Sequence, residues 1–178
     1  MTLPRFVAGQ TGVVVAVPAA EPVVGPARSA YDTSAAFGVP AHVTVLYPFL
    51  PIDAVGAEVL AELGGICTSV PVFDVSFAEV RQWPGVGYLA PDPEAPFREL
   101  TAKLAARWPD HRPYGGAFDD VVPHLTIADG DADALATAEA MVRPGLPIAT
   151  RVERVDLIAF DGSRWTSTAH WALGDGRA

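Results

Sequence analysis

The chain has 178 residues, half of them apolar and 19% charged, enough to bury a core for one domain or for two small lobes sharing one. A formal net charge of −9 argues against a broad basic face for duplex nucleic acid, whereas a pocket for a small nucleotide or one RNA end needs only a few local donors. The single cysteine, Cys67, excludes an internal disulfide and a Cys-cluster zinc site; among the apolar neighbours of "LGGICTSV" it reads as a buried, inert thiol.

Taken in order, "TGVVVAV" is rich in β-branched residues and reads as a strand over residues 12 to 17. The nearby "AVPAA" resembles a signal-peptidase site, but the apolar stretch before it is too short for a signal core. No run of about 18 apolar residues occurs anywhere, so nothing is expected to span a membrane, and a cytosolic location is the default. "PARSAYDTSAAF" reads as a helix ended by Gly38 and Pro40, and His42 to Tyr47 as a strand. Asp53 is a candidate N-cap for the helix "AVGAEVLAEL", with Gly64 and Gly65 as its stop. "VFDVSFAEVRQW" and "VGYLA" form a hairpin through Pro84-Gly85, which suits the central positions of a type II turn.

The second half repeats this order. "PFRELTAKLAARW" is a helix, "PHLTIA" a strand, and "DADALATAEAMV" a helix capped by Asp131 or Asp133. "TRVERVDLIAF" and "RWTSTAHWALG" form a hairpin about Asp161-Gly162. The order helix, His-x-Thr strand, helix, hairpin thus occurs twice. The expectation is a single domain over residues 1–178, with two similar lobes, roughly residues 1–91 and 92–178, about an approximate two-fold axis.

Side chains alternate along a strand, so His42 and Thr44 share one face while Val43, Val45 and Tyr47 take the other. In the second copy His124 and Thr126 share a face, opposite Leu125 and Ile127. A lone His-x-Thr pair reads as the polar face of an antiparallel sheet. Two copies, each after a Val-Pro and alike in repeated units, bring two imidazoles and two hydroxyls into one cleft. Imidazoles can take one proton and deliver another near neutral pH. Threonine hydroxyls can donate to the non-bridging oxygens of a phosphate. Cleavage or formation of a phosphodiester without a metal fits these groups.

"HVTV" and "HLTI", on strands about 80 residues apart, resemble the paired H-x-T-x signature of the two-histidine (2H) phosphoesterase superfamily. "HVTVLYPF" and "PYGGAFDDVVPHLTIAD" look like its branch of 2′-5′ RNA ligase-like proteins and cyclic phosphodiesterases, and the resemblance covers essentially the whole chain. It implies a bilobal α+β fold: two pseudo-symmetric lobes of mainly antiparallel sheet, with outer helices, around a central groove. It also implies His42 and His124 as acid and base, Thr44 and Thr126 as phosphate ligands, no metal and no cofactor. The implied substrates are 2′,3′-cyclic phosphates or 2′-5′ linkages at RNA ends or in nucleotides.

Other polar residues carry weaker arguments. Thr166, Thr168 and His170 share one face of the last hairpin and read as solvent-facing; His111 lies in a turn-rich loop. Arg81, Arg98, Arg151 and Arg164 have the reach to meet a phosphate, and Trp83 and Trp165, near hairpin turns, to stack on a base. A metal hydrolase recruiting Asp119 or Asp129 is a rival, weakened because each motif offers one His beside a Thr, a poor ligand. A non-catalytic module that captures phosphorylated ends is a second rival, though simple capture favours Arg or Lys.

Overall fold

A computed structural model describes residues 6–117 and 119–175. Eight strands and four helices follow one another as β1 (Thr11–Ala16), α1 (Glu21–Tyr31), β2 (His42–Leu46), α2 (Ala57–Thr68), β3 (Phe73–Trp83) and β4 (Val86–Asp92). Then come α3 (Ala95–Arg107), β5 (Leu125–Asp129), α4 (Ala132–Val142), β6 (Ile148–Val152), β7 (Arg154–Phe160) and β8 (Trp165–Ala172). They form two four-stranded sheets, ordered β2-β1-β7-β8 and β5-β4-β3-β6, and every pairing between these strands is antiparallel. This is the α+β architecture expected.

The sheets do not follow the halves of the chain. The first sheet takes β1 and β2 from the beginning and β7 and β8 from the end; the second takes β3 to β6 from the middle. The spatial grouping therefore crosses the boundary at residues 91 and 92. The expected single strand "TRVERVDLIAF" is two strands, because the chain changes sheet at Glu153: β6 pairs with β3 and β7 with β1.

Alternation builds one contiguous core between the sheets and helices. Val13 and Val15 of β1 and Val43 and Val45 of β2 meet Phe77, Leu89, Leu125 and Ile127 of the second sheet, with Phe97, Leu100 and Leu104 of α3 closing over them. These side chains are almost wholly buried, each contributing roughly 1.5–3 kcal/mol. Val14, one residue out of phase, joins a smaller cluster on the other face of the first sheet with Val39, Ile158, Phe160 and Trp165, onto which Phe6, Phe37 and Tyr47 pack.

Three boundaries differ from expectation, each for a local reason. Helix α1 begins earlier and stops at Tyr31, because the Asp32 carboxylate accepts the Ser34 backbone N–H and hydroxyl and holds a turn there. Asp53 lies in a separate 3₁₀ turn, and α2 starts after Gly56 instead. Gly64 and Gly65 do not stop α2, which continues to Thr68; a Cβ at Gly64 would lie 2.9 Å from the Trp171 ring. That glycine allows α2 to approach β8. The Pro84-Gly85 turn is as expected, with Gly85 at φ +80°, and the Asp131 carboxylate caps α4 by accepting from Ala134 N–H. Among the described residues no helix is long and apolar enough to cross a membrane.

Candidate active site

Both His-x-Thr strands are edge strands. β2 ends one sheet and β5 ends the other, and the two edges lie against each other. In β2, Ala16 pairs with His42 and Val14 with Thr44, so core packing of Val43 and Val45 turns His42 and Thr44 outward. In β5, Tyr88 of β4 pairs with Thr126 and Leu89 with Leu125, with Leu125 and Ile127 fully buried. His124 stands just before the first residue of β5. One groove of about 830 Å³ is lined by His42, Thr44, His124 and Thr126 together.

Each imidazole is anchored in the same way. His42 Nδ1 lies 2.7 Å from the Pro40 carbonyl and His124 Nδ1 lies 2.8 Å from the Val122 carbonyl. A carbonyl oxygen can only accept, so Nδ1 carries the proton in both rings. That leaves each Nε2 as the nitrogen available to a reactant: a base when unprotonated, an acid when protonated. Burial is the largest influence on His42 and lowers its pKa from 6.5 to about 4; the Pro40 carbonyl opposes this, Arg28 lowers it, Asp32 raises it and His124 lowers it further. Burial also lowers the His124 pKa, against the pull of the Val122 carbonyl. The two rings are thus close enough for charge on one to be felt at the other.

Supporting residues hold the pair. The side chains of Arg28 and Asp32 are both nearly inaccessible and form an ion pair at 2.9 Å, and the Arg28 guanidinium also donates to the Val39 carbonyl. Thr33 donates its backbone N–H (3.0 Å) and its hydroxyl (2.5 Å) to the Asp129 carboxylate, tying the end of α1 to the end of β5. Around His124, Trp83 meets the imidazole edge-on at 4.8 Å and stacks on Tyr88 at 4.1 Å. Tyr114 lies nearly parallel to the imidazole, with centroids 6.4 Å apart; burial raises its phenol pKa and the neighbouring Thr44 lowers it.

The other sequence candidates divide cleanly. Trp83 and Trp165 line the groove, as does Asp129. His170 is exposed on β8 and does not line it, while His111 is half-buried against Phe49. Arg81 pairs with Glu79 and Arg151 with Asp74 and Glu153, all outside the groove. Arg164 also lies outside it. Arg98 binds Asp120 on the groove rim at 2.8 Å. Asp119 is exposed, and among the described residues no three His, Cys, Asp or Glu side chains converge as a metal site. Cys67 is fully buried, and burial raises its thiol pKa to about 11. Tyr47, expected on the core face with Val43 and Val45, lines the groove instead, because β2 ends at Leu46 and its alternation stops there; sequence reasoning missed Tyr114 and the Arg28–Asp32 pair, which only the fold brings near the histidines.

The fold is shared with known proteins. A family model described as the 2′-5′ RNA ligase superfamily matches residues 16–164. Among solved structures, the chain is similar to E. coli LigT complexed with 3′-AMP, at 21% identity and a TM-score of 0.59, over 93% of this chain and 98% of that one. A protein described as a phosphoesterase gives 22% identity and a TM-score of 0.58, over 94% and 99% of the two chains. A Thermus thermophilus protein, TT0787, gives 17% and 0.55, over 94% and 100%. No curated protein matches the sequence.

Proposed function

Because the chain belongs to the 2′-5′ RNA ligase superfamily, the LigT-like branch of the 2H phosphoesterases, whose activity is of the phosphodiesterase type, we propose that its groove grips one phosphodiester between His42, Thr44, His124 and Thr126. The bond opened is a 2′,3′-cyclic phosphate or a 2′-5′ linkage at an RNA end or in a small nucleotide. The observation that carries this reading is the pair of carbonyl-anchored imidazoles on facing sheet edges. The nucleotide in the E. coli LigT structure supports the substrate class.

The mechanism follows from the available nitrogens. One Nε2 takes the proton of the attacking water while the other, protonated, gives its proton to the departing ribose oxygen. Thr44 and Thr126 donate to the non-bridging oxygens, where negative charge must be held. Run in reverse, the same transfers form the bond. With the His42 pKa at about 4, that ring is neutral at pH 7, so delivery of a proton from it needs help from the substrate. A phosphate charge about 4 Å away at an effective dielectric of about 20 contributes about 4 kcal/mol, or roughly three pKa units. That is enough to return the ring's pKa to the ordinary imidazole range and let it hold a proton, so substrate binding itself arms the acid.

The test is a panel of 2′,3′-cyclic nucleotides, short RNAs with cyclic ends and a 2′-5′ dinucleotide, with and without EDTA. Turnover unaffected by EDTA is expected, and His42→Ala or His124→Ala should each lower the rate about a hundredfold or more. Full activity in either variant would remove the mechanism. Loss in EDTA would favour a metal hydrolase, and binding without turnover on any member would favour a capture module.

A further inference from the structure

The turn that ends α1 reaches across to the second copy of the motif. Asp32 pairs with Arg28 and accepts the Ser34 N–H at 2.9 Å and the Ser34 hydroxyl at 2.7 Å, which fixes the backbone on either side of Thr33. Thr33 aims both of its donors at one carboxylate at the end of β5. Its N–H reaches Asp129 at 3.0 Å, and its hydroxyl lies 2.5 Å from both carboxylate oxygens. Asp32, Ser34 and Asp129 all line the groove. The two walls are held differently. β2 is bonded to β1 and is tied again by the Thr101 hydroxyl, which donates to the Val45 carbonyl at 2.8 Å, and by the Tyr114 N–H, which donates to the Tyr47 carbonyl at 2.6 Å. β5 is bonded to β4, with Asp129 opposite Val86, and from the direction of α1 its last residue is grasped by Thr33.

We infer that Thr33 and Asp129 are positioning residues: their clasp sets how far the β5 edge stands from β2, and so lets Thr44 and Thr126 reach one phosphate together. The inference rests on the reading that a phosphate sits between the motifs. Thr126 and Asp129 belong to the same short strand, roughly 10 Å apart along it, so a shift at the clasp is carried to the motif. A hydroxyl must come within about 3 Å of a phosphate oxygen to donate to it, and an outward drift of about 1 Å ends the contact. The clasp can resist such a drift although it lies at the surface, because its acceptor is a carboxylate and hydrogen bonds to a charged group are the stronger kind. What it controls is a spacing. Once either threonine has lost its hydroxyl, that spacing has less left to decide.

The experiment opens the clasp and reads the affinity for inorganic phosphate together with kcat/KM on the cyclic and 2′-5′ substrates. Thr33→Val, which keeps the N–H but loses the hydroxyl, should lower both about three- to tenfold, the scale of one hydrogen bond. Thr33→Ser, which keeps the hydroxyl, should hold both within about twofold of the unaltered protein. Asp129→Asn should show a comparable loss and add little to Thr33→Val. Coupling to the motif separates placement from a general loosening of the fold: Thr33→Val should cost much less once Thr126→Val has been made. An equal cost with and without the Thr126 hydroxyl would overturn the clasp. So would a loss in Thr33→Ser as large as in Thr33→Val, or a phosphate affinity that Thr33→Val leaves unchanged. Coupled phosphate affinities without turnover on any substrate would uphold the clasp while the catalytic reading fails. No phosphate binding by the unaltered protein would overturn both.

Discussion

Acid should weaken the fold through His42, and by an amount that can be worked out. Above pH 6.5 this ring is neutral folded or unfolded, so it contributes no pH dependence. As pH falls below 6.5, the unfolded chain takes up a proton that the folded chain refuses until about pH 4. Stability therefore drops across that window and levels off beneath it. The 2.5-unit gap between 6.5 and 4 corresponds to at most about 3.4 kcal/mol; because the residue is only half-buried, a loss of roughly 2 kcal/mol is the reasonable expectation. Carboxylates titrate in the same range, so the informative quantity is a difference. His42→Asn removes the titration, and its amide nitrogen can still donate to the Pro40 carbonyl. Urea unfolding of both proteins between about pH 7.5 and 4.5 should show the variant losing less stability as the solution is acidified. Added phosphate should shrink the difference, because a bound anion favours the charged ring. Parallel stability curves for the two proteins would refute the reasoning.

Other expectations follow from packing. Arg28→Met leaves the Asp32 carboxylate buried without its cation and should cost about 3–5 kcal/mol in urea unfolding. Asp131→Ala removes the cap on α4 and should cost about 1 kcal/mol, read in the same way. Gly65→Ala, with open space at its Cβ, should stabilise α2 by up to about 1 kcal/mol, whereas Gly64→Ala, which meets the Trp171 ring, should lower the melting temperature. In activity assays kcat/KM should rise as the pH is lowered below 6.5, since the free groove keeps both imidazoles unprotonated and the one acting as acid must take up a proton; a profile flat across that range would count against the two-imidazole mechanism.

What could be read from the chain alone was whatever depends on near neighbours. Alternation at Val43, Thr44 and Val45, the Pro84-Gly85 turn and the Asp131 cap each involve a few adjacent residues, and all appear in the fold. The duplicated His-x-Thr pair was legible because a polar pair on a strand that is otherwise core conflicts with its surroundings, and does so twice. Tyr114 was illegible: "PYGG" announces a turn, but nothing in it says that the turn fastens to the Tyr47 carbonyl, far earlier in the chain, and sets a ring beside His124. Nothing local to "PARSAYDTSAAF" says that Arg28 and Asp32 pair in the interior, close enough for their charges to act on His42. Gly64 misled because a helix stop and a close approach to a tryptophan call for the same residue; nothing in the structure calls for glycine at position 65. The passage at Glu153 from one sheet to the other leaves no local mark either, since both flanking segments are good strands.

That passage has a bearing on how the protein assembles. Because β1 and β2 must wait for β7 and β8, the first sheet cannot be finished until the last segment has been synthesised, and its pairings span most of the chain. Such long-range closure makes folding slow and all-or-none. A break in the loop after β4 would leave two fragments, each owning half of two sheets and neither able to bury its apolar faces alone. Mixed together, they should regain structure and phosphate binding at the same moment, since the groove exists only as the seam between them.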